Sequence, residues 1–312
     1  MFEGAPPDAS SAGTICSLAD RPPSLEFALP PMSAKATPEA PLRGFESRTV
    51  TVVGPSGEPT PIDVQEFGQG RRIVFLHGLV GLNEHWEDVV RRISHRCRCV
   101  LVQVPLLQLR GDDCSIDGAT DLTGRLLAQN EEASVIVGNS FGGHVAARLA
   151  LEQPNLVSGL VLAGSSGLIE KSMVSDIQIR PSKEWLRRKI GELFHDPSFM
   201  READLDRAHA ELSDRGGARA MVKLSRTARR NHLGPKLEQI HKPTLLIWGK
   251  QDIVTPPEAA HEFMAKLPDA RIVWLDPCGH APMIEKPDEF AEAVLKFADE
   301  LDQRETRSGG RV

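Results

Sequence analysis

The sequence predicts an α/β fold: a mostly parallel, doubly wound sheet with a helical insertion after its sixth strand. Three observations carry this. Short apolar runs such as IVFLHG (Ile73 to Gly78) and SVIVGNS (Ser134 to Ser140) have the length and β-branched character of strands buried on both faces. They alternate with segments of helical period, the pattern of strand–helix–strand units that build parallel sheets. The alternation stops from about Ser165 to Ile240, where the chain reads helical and polar, and then resumes.

Taken in order, RTVTVV (Arg48 to Val53) and PIDVQEF (Pro61 to Phe67) read as an antiparallel opening pair, and IVFLHG as the first buried strand. The next helix carries Trp86, Val89, Val90 and Ile93 on one face. CVLVQV (Cys99 to Val104), SVIVGNS and LVSGLVLAG (Leu156 to Gly164) follow as strands, with helix FGGHVAARLALEQ ending before Pro154. Three polar helical stretches fill the insertion: PSKEWLRRKIGELF, READLDRAHAEL and GARAMVKLSRTARR. Strand TLLIWG (Thr244 to Gly249), a helix through Phe263 and Leu267, strand RIVWL (Arg271 to Leu275) and a final helix complete the pattern. Phe290, Val294, Phe297 and Leu301 recur along one face of that last helix and direct it onto the sheet. The insertion lies over the strands' C-terminal ends, where open α/β sheets bind ligands.

Composition narrows the class. The chain has 312 residues, 40% hydrophobic and 26% charged, as expected of a globular protein with a sizeable core. A net charge of −6 gives no electrostatic footprint for nucleic acid. No apolar run is long enough to span a membrane, and the N-terminus lacks the basic and apolar regions of a secretory signal. Cys16, Cys97, Cys99, Cys114 and Cys278 are odd in number and show no framework spacing, so free thiols in a reducing, cytoplasmic setting are expected. Cys97 and Cys99 share one strand face, with no second pair at zinc spacing; no metal is expected. Residues 1–44 are rich in Pro, Ala and Ser and read as a disordered tail in which Met32 is a second candidate translation start. The expected division is then a core over 45–164 and 241–303, the helical insertion over 165–240 and a loose tail over 304–312.

Gly138-Asn139-Ser140-Phe141-Gly142 fits G-x-S-x-G between an apolar strand and a good helix. A serine on so sharp a turn needs strained backbone, and flanking glycines let neighbouring chains approach it. The hydroxyl is a poor nucleophile without a base. His280, in DPCGHAPM after strand RIVWL, is placed at the same sheet edge as Ser140; His77 suits loop shaping, and His144 lies inside the following helix, turned away. The other histidines, His85 among them, are expected to have surface or core roles. Asp252, after strand TLLIW, is the acid that orients His280; Asp276 is too close in sequence to meet it well. Backbone N–H groups of Phe141 and Leu79 are the expected donors to a developing oxyanion.

On these residues the chain resembles the α/β-hydrolase superfamily over about Arg48 to Leu301. The pieces that carry the resemblance are FLHGLVG, GNSFGG, WGKQDIVTPP and CGHAPMIEKPDEF. It implies a cap domain, which the 165–240 insertion supplies, no cofactor, and a Ser140–His280–Asp252 triad rather than the aspartate nucleophile of dehalogenases and epoxide hydrolases. GNSFGG and LFHDPSFM are also similar to the meta-cleavage-product hydrolases, which cut a carbon–carbon bond. That group commonly has Trp after its histidine, where Ala281 stands here, and PLLQLRGDD lacks the acidic Pro-Gly-x-Gly turn of many relatives. Hydrolysis of a small carboxylic ester through an acyl-enzyme is therefore the first expectation, C–C hydrolysis the second, and a non-catalytic binding member of the fold the third. The expected partner is a small-molecule acyl substrate; a monomer or homodimer is expected. From Glu170 to Glu238 the chain has 15 Lys/Arg and 11 Asp/Glu, a local +4 that either draws an anionic acyl group or reflects solvated helix faces. Val80, Trp185, Val254 and Met283, with Leu79 and Phe141, are candidate substrate-pocket residues.

Overall fold

A computed structural model describes residues 46–170 and 181–309. The tail predicted over 1–44, Cys16 and residues 310–312 lie outside the described residues, as do residues 171–180 of the insertion. Eight strands form one sheet: β1 (Glu46–Val53), β2 (Pro59–Phe67), β3 (Arg71–Leu76), β4 (Cys97–Gln103), β5 (Ser134–Asn139), β6 (Val157–Ala163), β7 (Thr244–Gly249) and β8 (Ala270–Leu275). Their order is β1-β2-β4-β3-β5-β6-β7-β8. β1 and β2 pair antiparallel, β2 and β4 antiparallel, and the rest are parallel.

The sheet is covered on both faces, which is why its central strands are apolar throughout. Alternate residues of one strand enter different layers. In β3, Val74 and Leu76 face the layer of α2 (Ile116–Leu127), α3 (Phe141–Glu152) and α7 (Pro257–Lys266). Ile73 and Phe75 face the layer of α1 (Glu87–Ile93) and α9 (Pro287–Gly309). In that second layer Trp86 packs between Phe75 and Phe290 in tilted contacts, with ring centroids 5.2 and 5.8 Å apart. Burying each such ring contributes about 2–3 kcal/mol. Cys97, Cys99 and Cys278 fill the same layer, and Cys114 the other; all four are free thiols.

α2 is absent from the sequence reading above. Its glycines explain why: a Cβ on Gly118 would sit 2.5 Å from the Asp113 backbone, and one on Gly124 2.6 Å from the Gln153 amide oxygen. At Gly118, where the neighbour is backbone, a residue that weakens helix propensity is required by close packing; at Gly124 it leaves room for the Gln153 amide. The last helix runs to Gly309, past residue 303, where a loose tail was expected. Arg304 holds it by pairing with Asp269 and Glu300, and Arg71 by pairing with Asp302 and Glu305.

Between β6 and β7 lie α4 (Lys183–Gly191), α5 (Glu202–Ser213) and α6 (Arg215–Arg230). Ser182 caps α4 by accepting from the Trp185 N–H at 3.2 Å, and Asp214 caps α6 by accepting from Gly217 at 3.0 Å. Leu186, Leu205 and Leu212 form their own small core with Leu107. Val80 and Trp185 pack against it, so the insertion is seated on the loop after β3. Among the described residues no helix is long and apolar enough to cross a membrane.

Candidate active site

The link from β5 to α3 is a single residue. Ser140 has φ 53° and ψ −117°, and among the described residues it alone has positive φ without being glycine. Such backbone costs about 1–3 kcal/mol and persists only where its surroundings fix it. Here the Ser140 N–H donates to the Ala163 carbonyl at 3.1 Å, and the Ser140 carbonyl accepts from Ser166 at 3.1 Å and His144 at 3.2 Å. The glycines around it answer three close approaches. A Cβ at Gly138 would strike the Gly142 carbonyl, one at Gly142 the Leu76 carbonyl, and one at Gly143 would lie 2.5 Å from Ser165 Oγ. Phe141 opens α3, so its N–H has no acceptor within the helix and is free to serve a ligand.

The expected acid and base come from the ends of β7 and β8. Asp252 follows β7 and His280 follows β8; both are buried. His280 Nδ1 lies 2.8 Å from Asp252 Oδ2, which also accepts from the Thr255 hydroxyl at 2.9 Å. Asp252 Oδ1 accepts from the N–H groups of Val254 and Thr255 at 2.8 and 2.9 Å. With its acceptor sites filled this way, the carboxylate fixes the proton on Nδ1 and leaves Nε2 as the basic nitrogen. Gly164 makes room for the pair: with φ +49°, its Cβ would lie 3.0 Å from both Asp252 Oδ2 and His280 Nδ1. Asp276 is exposed and bonded to Gln251 and Lys250 instead.

The loop after β3 lies against the serine: a Cβ on Gly78 would be 3.4 Å from Ser140 Cβ. His77 shapes this loop. Its Nδ1 lies 2.7 Å from the Gly78 carbonyl, and its Nε2 lies 3.0 Å from the Gln103 amide nitrogen. Burial pushes the imidazole down to about 4, so it is neutral at pH 7. Gln103 also accepts from Asn83 N–H at 2.8 Å and donates to the Gly81 carbonyl at 3.3 Å. Leu79 sits within this braced loop.

A cavity of about 190 Å³ opens where these strand ends meet the insertion. Ser140, Phe141 and His280 line it; Asp252 stays behind the imidazole, out of the cavity. Leu79, Val80, Trp185, Val254 and Met283 all line it too, so every residue expected in the pocket reaches the same space. Leu186, Ile190, Leu212 and Ile284 add aliphatic wall, while Lys189, Arg201, Asp204 and Arg229 bring charged side chains to the same lining.

Several neighbours went unread in the sequence. His85, expected to have a surface or core role, lines the cavity and pairs with Asp204 at 3.1 Å. Glu170 is a second acid on the wall; burial pushes its carboxyl up, while the Gly167 N–H and the His280 imidazole oppose this. Asn139 donates from its amide to the carbonyls of Ala163 and His280, both at 3.0 Å, tying the elbow to the histidine loop. Gln103 and Asn139 did carry signals: a glutamine inside the apolar run CVLVQV, and a polar side chain inside the elbow itself. Thr255 and Glu170 carry none. His144 is buried against Gly167, outside the cavity, and burial pushes it down to about 3.

A sequence model described as "Alpha/beta hydrolase family" matches residues 73–293. The pimeloyl-[acyl-carrier protein] methyl ester esterase of Nitrosomonas europaea is 30% identical over 246 residues, 73% of this chain and 96% of that protein. The 2-hydroxy-6-oxo-6-(2'-aminophenyl)hexa-2,4-dienoic acid hydrolase of Metapseudomonas resinovorans is 27% identical, over 74% of this chain and 85% of that one. Among solved structures, an alpha/beta hydrolase enzyme from the sediment metagenome of the Mar Chica lagoon, Morocco, superposes with a TM-score of 0.64 at 28% identity, covering 77% of this chain and 96% of that one. With its eight-stranded sheet, its strained serine turn and these likenesses together, the chain belongs to the alpha/beta hydrolase family.

Proposed function

We propose that the protein is a serine hydrolase that cleaves a small carboxylic ester through an acyl-enzyme on Ser140. The observation that carries this is the Asp252–His280 pair at 2.8 Å, whose imidazole opens onto the same cavity as a serine held at positive φ. In this reading Ser140 Oγ attacks the acyl carbon as His280 Nε2 takes its proton. Asp252 keeps the imidazole in the productive tautomer and stabilises its positive charge. The N–H groups of Phe141 and Leu79 hold the oxyanion; one such donor is worth about 3 kcal/mol in the transition state. The proton then passes to the leaving alcohol, and His280 activates the water that releases the acid. The aliphatic part of the wall suits an alkyl acyl chain, in keeping with the pimeloyl group named for the esterase relative.

The reading is tested by Ser140→Ala, which is expected to abolish both p-nitrophenyl ester turnover and labelling by a fluorophosphonate. Undiminished labelling of the variant would overturn it. C–C hydrolysis is the second reading, favoured by the dienoic acid hydrolase relative. A yellow dienol acid assayed beside a short-chain ester series separates the two: a much larger kcat/KM for the dienol would reverse the order.

A further inference from the structure

Glu285 is a buried carboxylate with no part in the steps above. It closes the short helix α8 (Pro282–Glu285), five residues beyond His280. Its two oxygens face two different parts of the chain. Oε1 accepts from the Gly279 N–H at 2.7 Å, and the Cys278 thiol lies 3.9 Å away. Oε2 accepts from the N–H groups of His195 at 2.8 Å and Asp196 at 3.3 Å, in the insertion just past α4. The His280 N–H itself donates to the Leu193 carbonyl at 2.7 Å. The two loop segments of this contact are so close that a Cβ on Gly279 would lie 2.6 Å from the His195 nitrogen. Leu193 and Phe194, between α4 and these bonds, line the cavity.

From this geometry we infer that Glu285 is a positioning residue that clamps the His280 loop to residues 193–196 of the insertion, so that the base and the cavity wall move as one unit. Charge-assisted bonds to backbone N–H groups are about twice as strong as neutral ones, and a single carboxylate between two segments couples them directly. Gly279 and His280 are buried and His280 is tied to Leu193, so pulling the segments apart breaks the bonds to His195, Asp196 and Leu193 at once and leaves a buried donor without its acceptor. A substrate that presses on Leu193 and Phe194 therefore acts on His280 through one carbonyl and one carboxylate. The inference rests on His280 being the base.

Glu285→Gln keeps the size and one oxygen but turns an NH₂ group toward one of the two sets of donors. In the folded variant kcat is expected to fall roughly 10- to 100-fold, as for a small displacement of a reacting group, with KM within about twofold. The far-downfield proton resonance of His280 Nδ1, bonded to Asp252, is expected to broaden or vanish in the same sample. Wild-type kcat and an unshifted resonance would overturn the clamp. Amide hydrogen exchange on the unaltered protein needs no variant to fold: the Gly279, His195 and Asp196 amides are expected to be strongly protected and to share one protection factor, the mark of a common opening. Exchange at ordinary loop rates, or three unrelated protection factors, would overturn it equally. This measurement involves no catalysis, whereas fluorophosphonate labelling of Ser140→Ala reads the proposed chemistry alone, so the two failures are distinguishable.

Discussion

Replacing Asp252 by Asn removes one charge and one acceptor at the centre of the site. The structure dictates which way the new amide points. Oδ1 accepts two backbone N–H groups at 2.8 and 2.9 Å, from Val254 and Thr255. Turning the NH₂ toward them would strand both donors, at about 1–3 kcal/mol each, so the amide oxygen stays there. The NH₂ then occupies the place of Oδ2, 2.8 Å from His280 Nδ1. A donor at that distance forces Nδ1 to accept, which moves the imidazole proton to Nε2 and removes the lone pair that the proposed attack by Ser140 requires. The wrong tautomer of a triad histidine costs about 10⁴-fold in kcat, or about 5 kcal/mol. The fold is expected to tolerate the change, because the Thr255 hydroxyl rotates to accept from the new NH₂. The assay is steady-state hydrolysis of a p-nitrophenyl ester, with thermal unfolding followed in parallel. A folded Asp252→Asn protein within tenfold of wild-type kcat would refute the tautomer argument.

Gly164→Ala places a methyl group 3.0 Å from both Asp252 Oδ2 and His280 Nδ1 on a backbone at φ +49°. It is expected to lower kcat by tenfold or more while costing only about 1–2 kcal/mol in urea unfolding, the usual scale of such backbone strain. Acid stability follows from the two buried imidazoles. His77 and His144 are pushed by burial to about 4 and about 3. Above pH ~6.5 neither the folded nor the unfolded state binds these protons, so their contribution is fully present. Below it the unfolded chain takes up protons that the native state refuses, and stability falls by up to about 1.4 kcal/mol per pH unit for each histidine, down to its folded value. The His144 ring nitrogens have no hydrogen bond of normal geometry, so His144→Leu is expected to fold and to flatten this fall by about half between pH 6 and 4.5. Urea midpoints across that range check it; an unchanged slope would show that His144 is not the group responsible.

The fold was legible where burial leaves a one-dimensional trace. The central strands are apolar because both faces are covered, and Trp86, Val89, Val90 and Ile93 mark the one buried stripe of α1. Where tertiary packing outweighs local propensity, the trace vanishes. Gly118 and Gly124 read as breakers, yet they are what lets α2 lie against Asp113 and Gln153. The end of α9 was missed because Arg71 and Asp269, its partners, are distant in sequence. Ser140, Asp252 and His280 come together because each follows a strand, and strand ends converge at one edge of a parallel sheet; Trp185 reaches the cavity from α4 and Met283 from α8. Of the side chains that brace them, Gln103 and Asn139 are marked only as polar residues in apolar strands. Glu285 binds N–H groups of another segment, which leave no mark on the sequence, and Thr255 bonds the Asp252 carboxylate as any loop threonine could.

The central claim is that Ser140 carries the acyl group. Mixing the protein with excess p-nitrophenyl ester, quenching in acid within the first turnover and mapping peptides by mass tests it most directly. The account predicts a burst of p-nitrophenol close to one per chain and an acyl adduct on the peptide containing Ser140. A linear time course with no burst, together with an acyl group on another residue or on none, would contradict it.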